Sequence, residues 1–202
     1  MRVALIGATG NAGLRILAEL TRRGHSVTAI VRNPARVTPQ PGVTAKQGDV
    51  FDQQSLAELL KGHDAVVSSL HFTASDPRKL IEAVRASGVT RYLVVGGAGS
   101  LEAAPGLKLI DAPNFPAEYK PEAAAGGVFL DMLRDETELD WTFLSPSAMF
   151  VPGERTGKFR LGQDQLLTTE QGSSISFEDY AIALVDELEK PAHPRQRFTV
   201  GY

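Results

Sequence analysis

Gly7-Ala8-Thr9-Gly10-Asn11-Ala12-Gly13 decides how this chain is read. It lies between the apolar run Val3–Ile6 and residues 12–23, where Ala12, Ile16 and Leu20 share one helical face and Gly24 stands at the expected helix stop. A G-x-x-G-x-x-G spacing alone is weak evidence. At a strand-to-helix junction, however, missing Cβ atoms let the backbone approach a pyrophosphate while the helix N-terminus meets its charge. The rival reading is a strand-to-helix turn without ligand, and the context favours dinucleotide binding over it.

Outward from that loop, short runs rich in Val, Ile and Leu alternate with helix-length amphipathic segments, which predicts parallel strands joined by crossover helices. Strands are expected at Val3–Ile6, Val27–Val31, Val43–Gln47, Ala65–Ser68, Tyr92–Val95, Trp141–Leu144 and Phe198–Val200. Further helices are expected at Ser55–Lys61, at Pro77–Ser87 behind an Asp76 cap, at Ala117–Thr137 and at Glu178–Glu189 behind a Ser176 cap. Pro121 and the Gly126-Gly127 pair weaken the third of these unless they sit early. The predicted architecture is a doubly wound α/β Rossmann-like fold, a mostly parallel sheet of about seven strands with helices on both faces. Residues 1–202 read as a single dinucleotide-binding domain, with residues 146–176 as a small irregular cap. The Gly99–Pro116 loop, rich in Pro and Gly, has the length of a binding loop or lid.

Composition removes several classes of function. The chain has no Cys, so disulfides, thiol redox chemistry and Cys-ligated zinc are excluded and redox work requires a bound cofactor. Four scattered His without H-x-x-x-H spacing make no metal site, and Ser145 and Ser147 lie in no G-x-S-x-G elbow. No apolar run reaches the length of a membrane span and the N-terminus lacks a long apolar region, which predicts a cytoplasmic protein without a membrane partner. A net charge of -3 argues against nucleic acid as the main partner. That charge is uneven, because residues 1–48 hold seven cations against Glu19 alone. Such a positive first third suits either solvated helix faces or a multiply phosphorylated ligand.

The second strand ends Val31-Arg32-Asn33-Pro34, where a site preferring NAD would place an Asp or Glu on the ribose 2'-hydroxyl. Arg32 there favours a 2'-phosphate, hence NADP(H) over NAD(H), with Arg36 able to share the role.

GATGNAG (7–13), VRNP (31–34), GDV (48–50), the Ser68-Ser69-Leu70 strand end, WTFLSPSAMF (141–150), PGERTGKF (152–159) and ISFEDYAIALVDELE (175–189) together resemble one known group. This is the atypical, extended branch of the short-chain dehydrogenase/reductase superfamily, in its NmrA-like and biliverdin-reductase-B-like NAD(P)H-binding proteins, some described as NADH-flavin reductases. The resemblance covers nearly the whole chain. It implies that Gly7, Thr9, Gly10, Asn11, Ala12 and Gly13 hold the pyrophosphate and Arg32 the 2'-phosphate. It further implies that Asp49 and Val50 hold adenine, that Ser68, Ser69 and Leu70 line the ribose path, and that Pro146 and Ser147 flank the nicotinamide.

The chain departs from the superfamily's catalytic pattern. Val95-Gly96-Gly97-Ala98-Gly99-Ser100 leaves only a displaced Ser after the fifth strand, and Tyr119 is followed four positions on by Ala123, so the Tyr-x-x-x-Lys pair is absent. Carbonyl reduction that relies on an activated phenol is poorly supported. Hydride transfer to a flavin, FMN or FAD, or to a quinone or similar planar conjugated acceptor needs mainly orientation and distance. The expected pocket walls are Phe72, Phe115 and Phe150, with His71 and Tyr119 as candidate catalytic groups and Arg155 and Lys158 as candidates for an FMN phosphate. The expected function is thus NADPH-dependent reduction of such an acceptor. The alternative is a non-catalytic NADP(H)-binding sensor of NmrA-like type, and epimerase or dehydratase action on a nucleotide sugar is disfavoured by the missing Tyr/Lys pair. The Ala117–Thr137 helix packs on its own sheet or on a symmetry mate, giving a monomer or a homodimer.

Overall fold

Val3, Ala4, Leu5 and Ile6 are all buried, with Val3 and Leu5 in one core and Ala4 and Ile6 in another, as a strand covered on both faces requires. The computed structural model describes residues 1–202. Along the chain run β1 (Arg2–Ile6), α1 (Asn11–Arg22), β2 (Ser26–Val31), β3 (Val43–Gln47), α2 (Gln53–Leu60), β4 (Ala65–Ser68), α3 (Pro77–Ser87), β5 (Arg91–Val95), β6 (Glu102–Ala104) and β7 (Leu107–Lys108). These are followed by α4 (Lys120–Arg134), β8 (Asp140–Pro146), β9 (Met149–Val151), β10 (Arg160–Gly162), β11 (Ser174–Ser176), α5 (Phe177–Glu189) and β12 (Gln196–Gly201).

The main sheet has the order β10-β12-β8-β5-β4-β1-β2-β3 and is parallel except for β10, which runs antiparallel to β12. Helices α1 and α5 cover one face with Ile16, Leu20, Tyr180 and Leu184, and α2, α3 and α4 cover the other with Leu56, Leu80, Phe129 and Leu133. This is the expected Rossmann-like fold. The strand beyond the seven expected is β10. It lies inside the stretch expected to be irregular, and three residues are too few for an alternating pattern to register.

The cap is correspondingly smaller than expected. β9 and β11 pair in parallel, Phe150 opposite Ile175, while β10 belongs to the main sheet. The Gly99–Pro116 loop is no free lid either, since Leu101 is fully buried and the loop is stitched to the segment after β10. Glu102 N–H donates to Asp164 O at 2.8 Å, Leu166 N–H to Glu102 O at 2.9 Å, and the Arg197 guanidinium joins Asp164 to Ser100. The fourth long helix is shorter than its pattern: a 3-10 turn holds Ala117–Tyr119, and α4 starts at Lys120 with Pro121 in its first turn, where a missing N–H costs nothing.

From β1 the chain winds outward through β2 and β3, then returns past β1 to β4 and β5. The loops after β1 and β4 therefore flank the crevice where strand order reverses, which is where such sheets bind ligands.

Candidate functional site

Gly7 turns the chain out of β1 with a φ of +83°, in the left-handed region, and a Cβ there would lie 2.1 Å from the carbonyl oxygen of Ser69. A Cβ on Gly13 would come equally close to Gly7 O, so these two glycines let the strand-to-helix turn close against the end of β4. Gly10 then caps α1 without a side-chain hydrogen bond. The contrast with other helices is informative: Asp52 caps α2, Asp76 caps α3 and Ser176 caps α5, each by accepting a backbone N–H. At α1 the N–H groups of Asn11, Ala12 and Gly13 have no protein acceptor, and no acidic residue sits in the first turn. The positive end of this helix thus has no partner within the protein, a donor set that a pyrophosphate would fit.

The cations of the first third divide into two groups. Arg15 pairs with Glu178 at 2.9 Å, Arg23 with Glu19, Asp186 and Glu189, Arg22 with Glu19 at 3.7 Å, and Arg2 with Asp64. Arg32 and Arg36, beyond the end of β2, and Lys46 on the neighbouring β3 are exposed and have no carboxylate partner. Arg32 remains available for a 2'-phosphate, and no acidic side chain replaces it at the strand end. Asp49 is exposed, with one carboxylate oxygen accepting Phe51 N–H at 2.9 Å, and Val50 packs half-buried against the core. The second carboxylate oxygen of Asp49 has no protein partner.

Several side chains expected at the site are turned away from it. Ser68 is buried and hydrogen-bonded to the Tyr92 hydroxyl at 2.9 Å, so only Ser69 and Leu70 are left at the ribose path. Ser147 is fully buried and donates to Val200 O, Pro146 is buried beside it, and the exposed residues at that point are Ala148 and Met149. Phe72 is packed against Phe129 and Phe143 and Phe150 against Phe177 and Tyr180, so both rings, half-buried, are engaged in packing. β9 alternates, and with Phe150 inward it presents Met149 and Val151 to solvent. Arg155 makes two hydrogen bonds to the buried Glu19, both at 2.8 Å, which removes it as a phosphate ligand, while Lys158 is exposed. Phe115 is half-buried in its loop, and His71 and Tyr119 are exposed. Tyr119 and Lys120 open the helix that reaches the loop after β4, since Glu122 accepts N–H bonds from Phe72 and Thr73.

Glu122 is a residue the sequence reading passed over. Its partners lie some fifty positions back, beyond any local pattern. Burial pushes its carboxyl up, yet the donors of Thr73 and Phe72 outweigh that and hold it below the usual carboxylate range. Of the four tyrosines, three are committed elsewhere. Tyr92 and Tyr180 are fully buried, which raises both phenols, and Tyr202 binds Ser176 and Asp179. Two cavities, of about 460 and 210 Å³, are lined by residues such as His193 and Arg195, and neither includes any residue of the glycine loop. No helix is long and apolar enough to cross a membrane.

Comparison with known proteins supports NAD(P)H binding. A family model described as NAD(P)H-binding matches residues 7–191. The uncharacterized protein YwnB of Bacillus subtilis is 45% identical over 99% of this chain and 98% of its own. A Bacteroides thetaiotaomicron structure described as a candidate epimerase superposes with a TM-score of 0.95 at 42% identity, covering 100% of this chain and 96% of that one. A Streptococcus pneumoniae structure described as a candidate NADH-flavin reductase gives 0.85 at 40% identity, covering 100% and 99%. These names attach different activities to one fold, so the reaction must be argued from side chains. From its glycine loop to the end of α5, this chain belongs to the NAD(P)H-binding family of Rossmann-fold, reductase-type proteins.

Proposed function

We propose that the protein is an NADPH-dependent oxidoreductase that reduces a flavin, quinone or similar planar conjugated acceptor by direct hydride transfer. The observation that carries this reading is the uncapped N-terminus of α1 together with the unpaired Arg32 at the end of β2. The free amides of Asn11, Ala12 and Gly13 would hold the pyrophosphate, Arg32 the 2'-phosphate, Asp49 the adenine amino group, and Ser69 with Leu70 the ribose. When bound, the dinucleotide supplies hydride. The protein's part is to orient it and to offer the acceptor a face at the C-terminal strand ends.

The acceptor class follows from what the site lacks. With three phenols committed to structure and Tyr119 61% exposed without a Lys one turn on, there is no activated Tyr to protonate an alkoxide. A conjugated acceptor spreads the arriving charge and tolerates that absence. In place of Phe150, the exposed Met149 and Val151 offer it an apolar, adaptable wall.

The inward packing of Phe72 and Phe150 also favours a second reading, a sensor that binds NADP(H) without consuming it. Anaerobic NADPH oxidation with FMN and with menadione, run beside Arg32→Ala, separates the two. Saturable turnover, with NADPH affinity falling about 10- to 100-fold in the variant and NADH affinity about unchanged, supports the oxidoreductase. Tight NADPH binding without turnover on either acceptor supports the sensor, and equal losses for both cofactors remove Arg32 from the 2'-phosphate site.

A further inference from the structure

The chain commits several residues to holding one solvent-exposed histidine. His71 follows Leu70, whose Cδ2 would lie 3.0 Å from a Cβ on Gly7, so the imidazole stands two residues from the part of β4's end that touches the glycine loop. Phe72, the next residue, is inserted between Phe129 and Phe143, with ring centroids 6.1 Å from each. That slot exists only because Gly126, in the middle of α4, has no side chain: a Cβ there would lie 2.8 Å from the Phe72 ring. The same helix supplies Glu122, which accepts Phe72 N–H at 2.7 Å, Thr73 N–H at 3.0 Å and the Thr73 hydroxyl at 2.7 Å. Its Oε1 also lies 3.4 Å from Nδ1 of His71, whose side chain is 86% exposed. An aromatic anchor and a carboxylate that accepts three hydrogen bonds thus fix the loop after β4, which presents an exposed imidazole at the C-terminal end of the sheet, the side where the acceptor is proposed to bind.

Resting on the oxidoreductase reading above, we infer that His71 donates the proton that completes reduction of the acceptor, and that Glu122 is its positioning residue. Hydride brings the acceptor two electrons and one hydrogen, leaving negative charge on a quinone oxygen or a flavin nitrogen. The Nε2–H bond of the imidazolium breaks as an O–H or N–H bond forms on the acceptor, and water returns the proton to Nε2. A Glu122 oxygen 3.4 Å from Nδ1 favours, in the neutral ring, the tautomer protonated at Nδ1, which would leave Nε2 as the atom that exchanges protons with the acceptor side. The charged group set against the imidazole is Glu122; Lys120, at the start of the same helix, is exposed.

The test uses the full chain with His71→Gln and Glu122→Gln, menadione as acceptor, and three readouts: NADPH affinity, kcat across pH, and the tautomer of His71 by nitrogen NMR on the protein alone. His71→Gln is expected to leave NADPH affinity within about twofold, lower kcat about tenfold or more with loss of one limb of the pH profile, and recover with added imidazole. Glu122→Gln is expected to shift the His71 spectrum away from the Nδ1–H tautomer and lower kcat less than His71→Gln does. Unchanged kcat and pH profile in His71→Gln overturns the proton-donor role and leaves the oxidoreductase reading standing. An unchanged tautomer in Glu122→Gln overturns the positioning role. Absence of turnover in the unaltered protein with NADPH bound overturns both this proposal and the reading beneath it.

Discussion

Replacing Glu19 by Gln tests whether the PGERTGK strap is held to the cofactor helix by charge. Glu19 sits on α1, 3% exposed, and its carboxylate accepts two hydrogen bonds from Arg155 and one from Arg23, all at 2.8 Å. The Arg155 bonds, opposed by burial and helped by Arg23, move its pKa from the usual 4.5 to about 2. Such a carboxyl contributes roughly 3 kcal/mol at neutral pH, and solvent screening at the partly exposed Arg155 brings this nearer ~2 kcal/mol. Because the folded value lies below the unfolded one, the contribution is complete above about pH 5 and drains away as pH falls toward 2. Gln keeps the volume and removes the charge. Urea unfolding at pH 7 should therefore show the variant less stable by about 2 kcal/mol, with the gap at pH 3 shrinking to somewhat under half of that. Trypsin offers a second readout, since residues 152–158 are exposed and held by polar bonds alone, so cleavage after Arg155 or Lys158 should quicken in the variant. A gap of equal size at pH 3 and pH 7 would refute the electrostatic account and leave only lost packing.

Gly13→Ala should destabilise the strand-to-helix turn by about 1–3 kcal/mol in urea unfolding and weaken NADPH binding with it, since its Cβ would meet Gly7 O at 2.1 Å. Ser68→Ala should cost about 1–2 kcal/mol by orphaning the buried Tyr92 hydroxyl while leaving NADPH affinity unchanged; a large affinity loss would return Ser68 to the ribose path. Phe150→Ala should cost about 3 kcal/mol of stability with little change in acceptor KM, whereas Met149→Gln should raise acceptor KM at unchanged stability; the reverse pattern would restore Phe150 as a wall.

What could be read from the chain was whatever local physics encodes. Strands such as Val3–Ile6 are apolar throughout because both faces are covered, and the glycine loop is legible because its spacing is local: Gly13 answers a steric demand from Gly7 six residues back, although Gly7 itself answers one from Ser69 at the end of β4. Arg32 was legible as a candidate because it stands at the end of β2, and the fold leaves it exposed and without a carboxylate partner there. The roles of Ser68, Ser147, Phe72 and Phe150 were not, since a strand end shows which residues lie near a site but not which way each points. That direction was decided by partners 24 to 53 residues away or in other elements, Tyr92 for Ser68 and Val200 for Ser147. Arg155 illustrates the same limit: a cation on a Gly-rich loop looks free until the fold brings Glu19 to it across 136 residues.

These distant pairings also explain why the positive first third of the chain carries information after all. Carboxylates from α5 and the 64 turn pair with Arg2, Arg15 and Arg23, and Arg22 lies 3.7 Å from Glu19 on its own helix, so little of the excess is left on helix faces. What survives is concentrated in Arg32, Arg36 and Lys46 at the ends of β2 and on β3, on the same side of the switch point as the free amides of α1. Field and donors then converge where a dinucleotide's phosphates would lie, and exposed charges there act over about a Debye length, 8 Å at physiological salt. A cofactor site built this way depends on backbone geometry and unpaired charge, and it leaves the acceptor loops free to differ among proteins that share the fold.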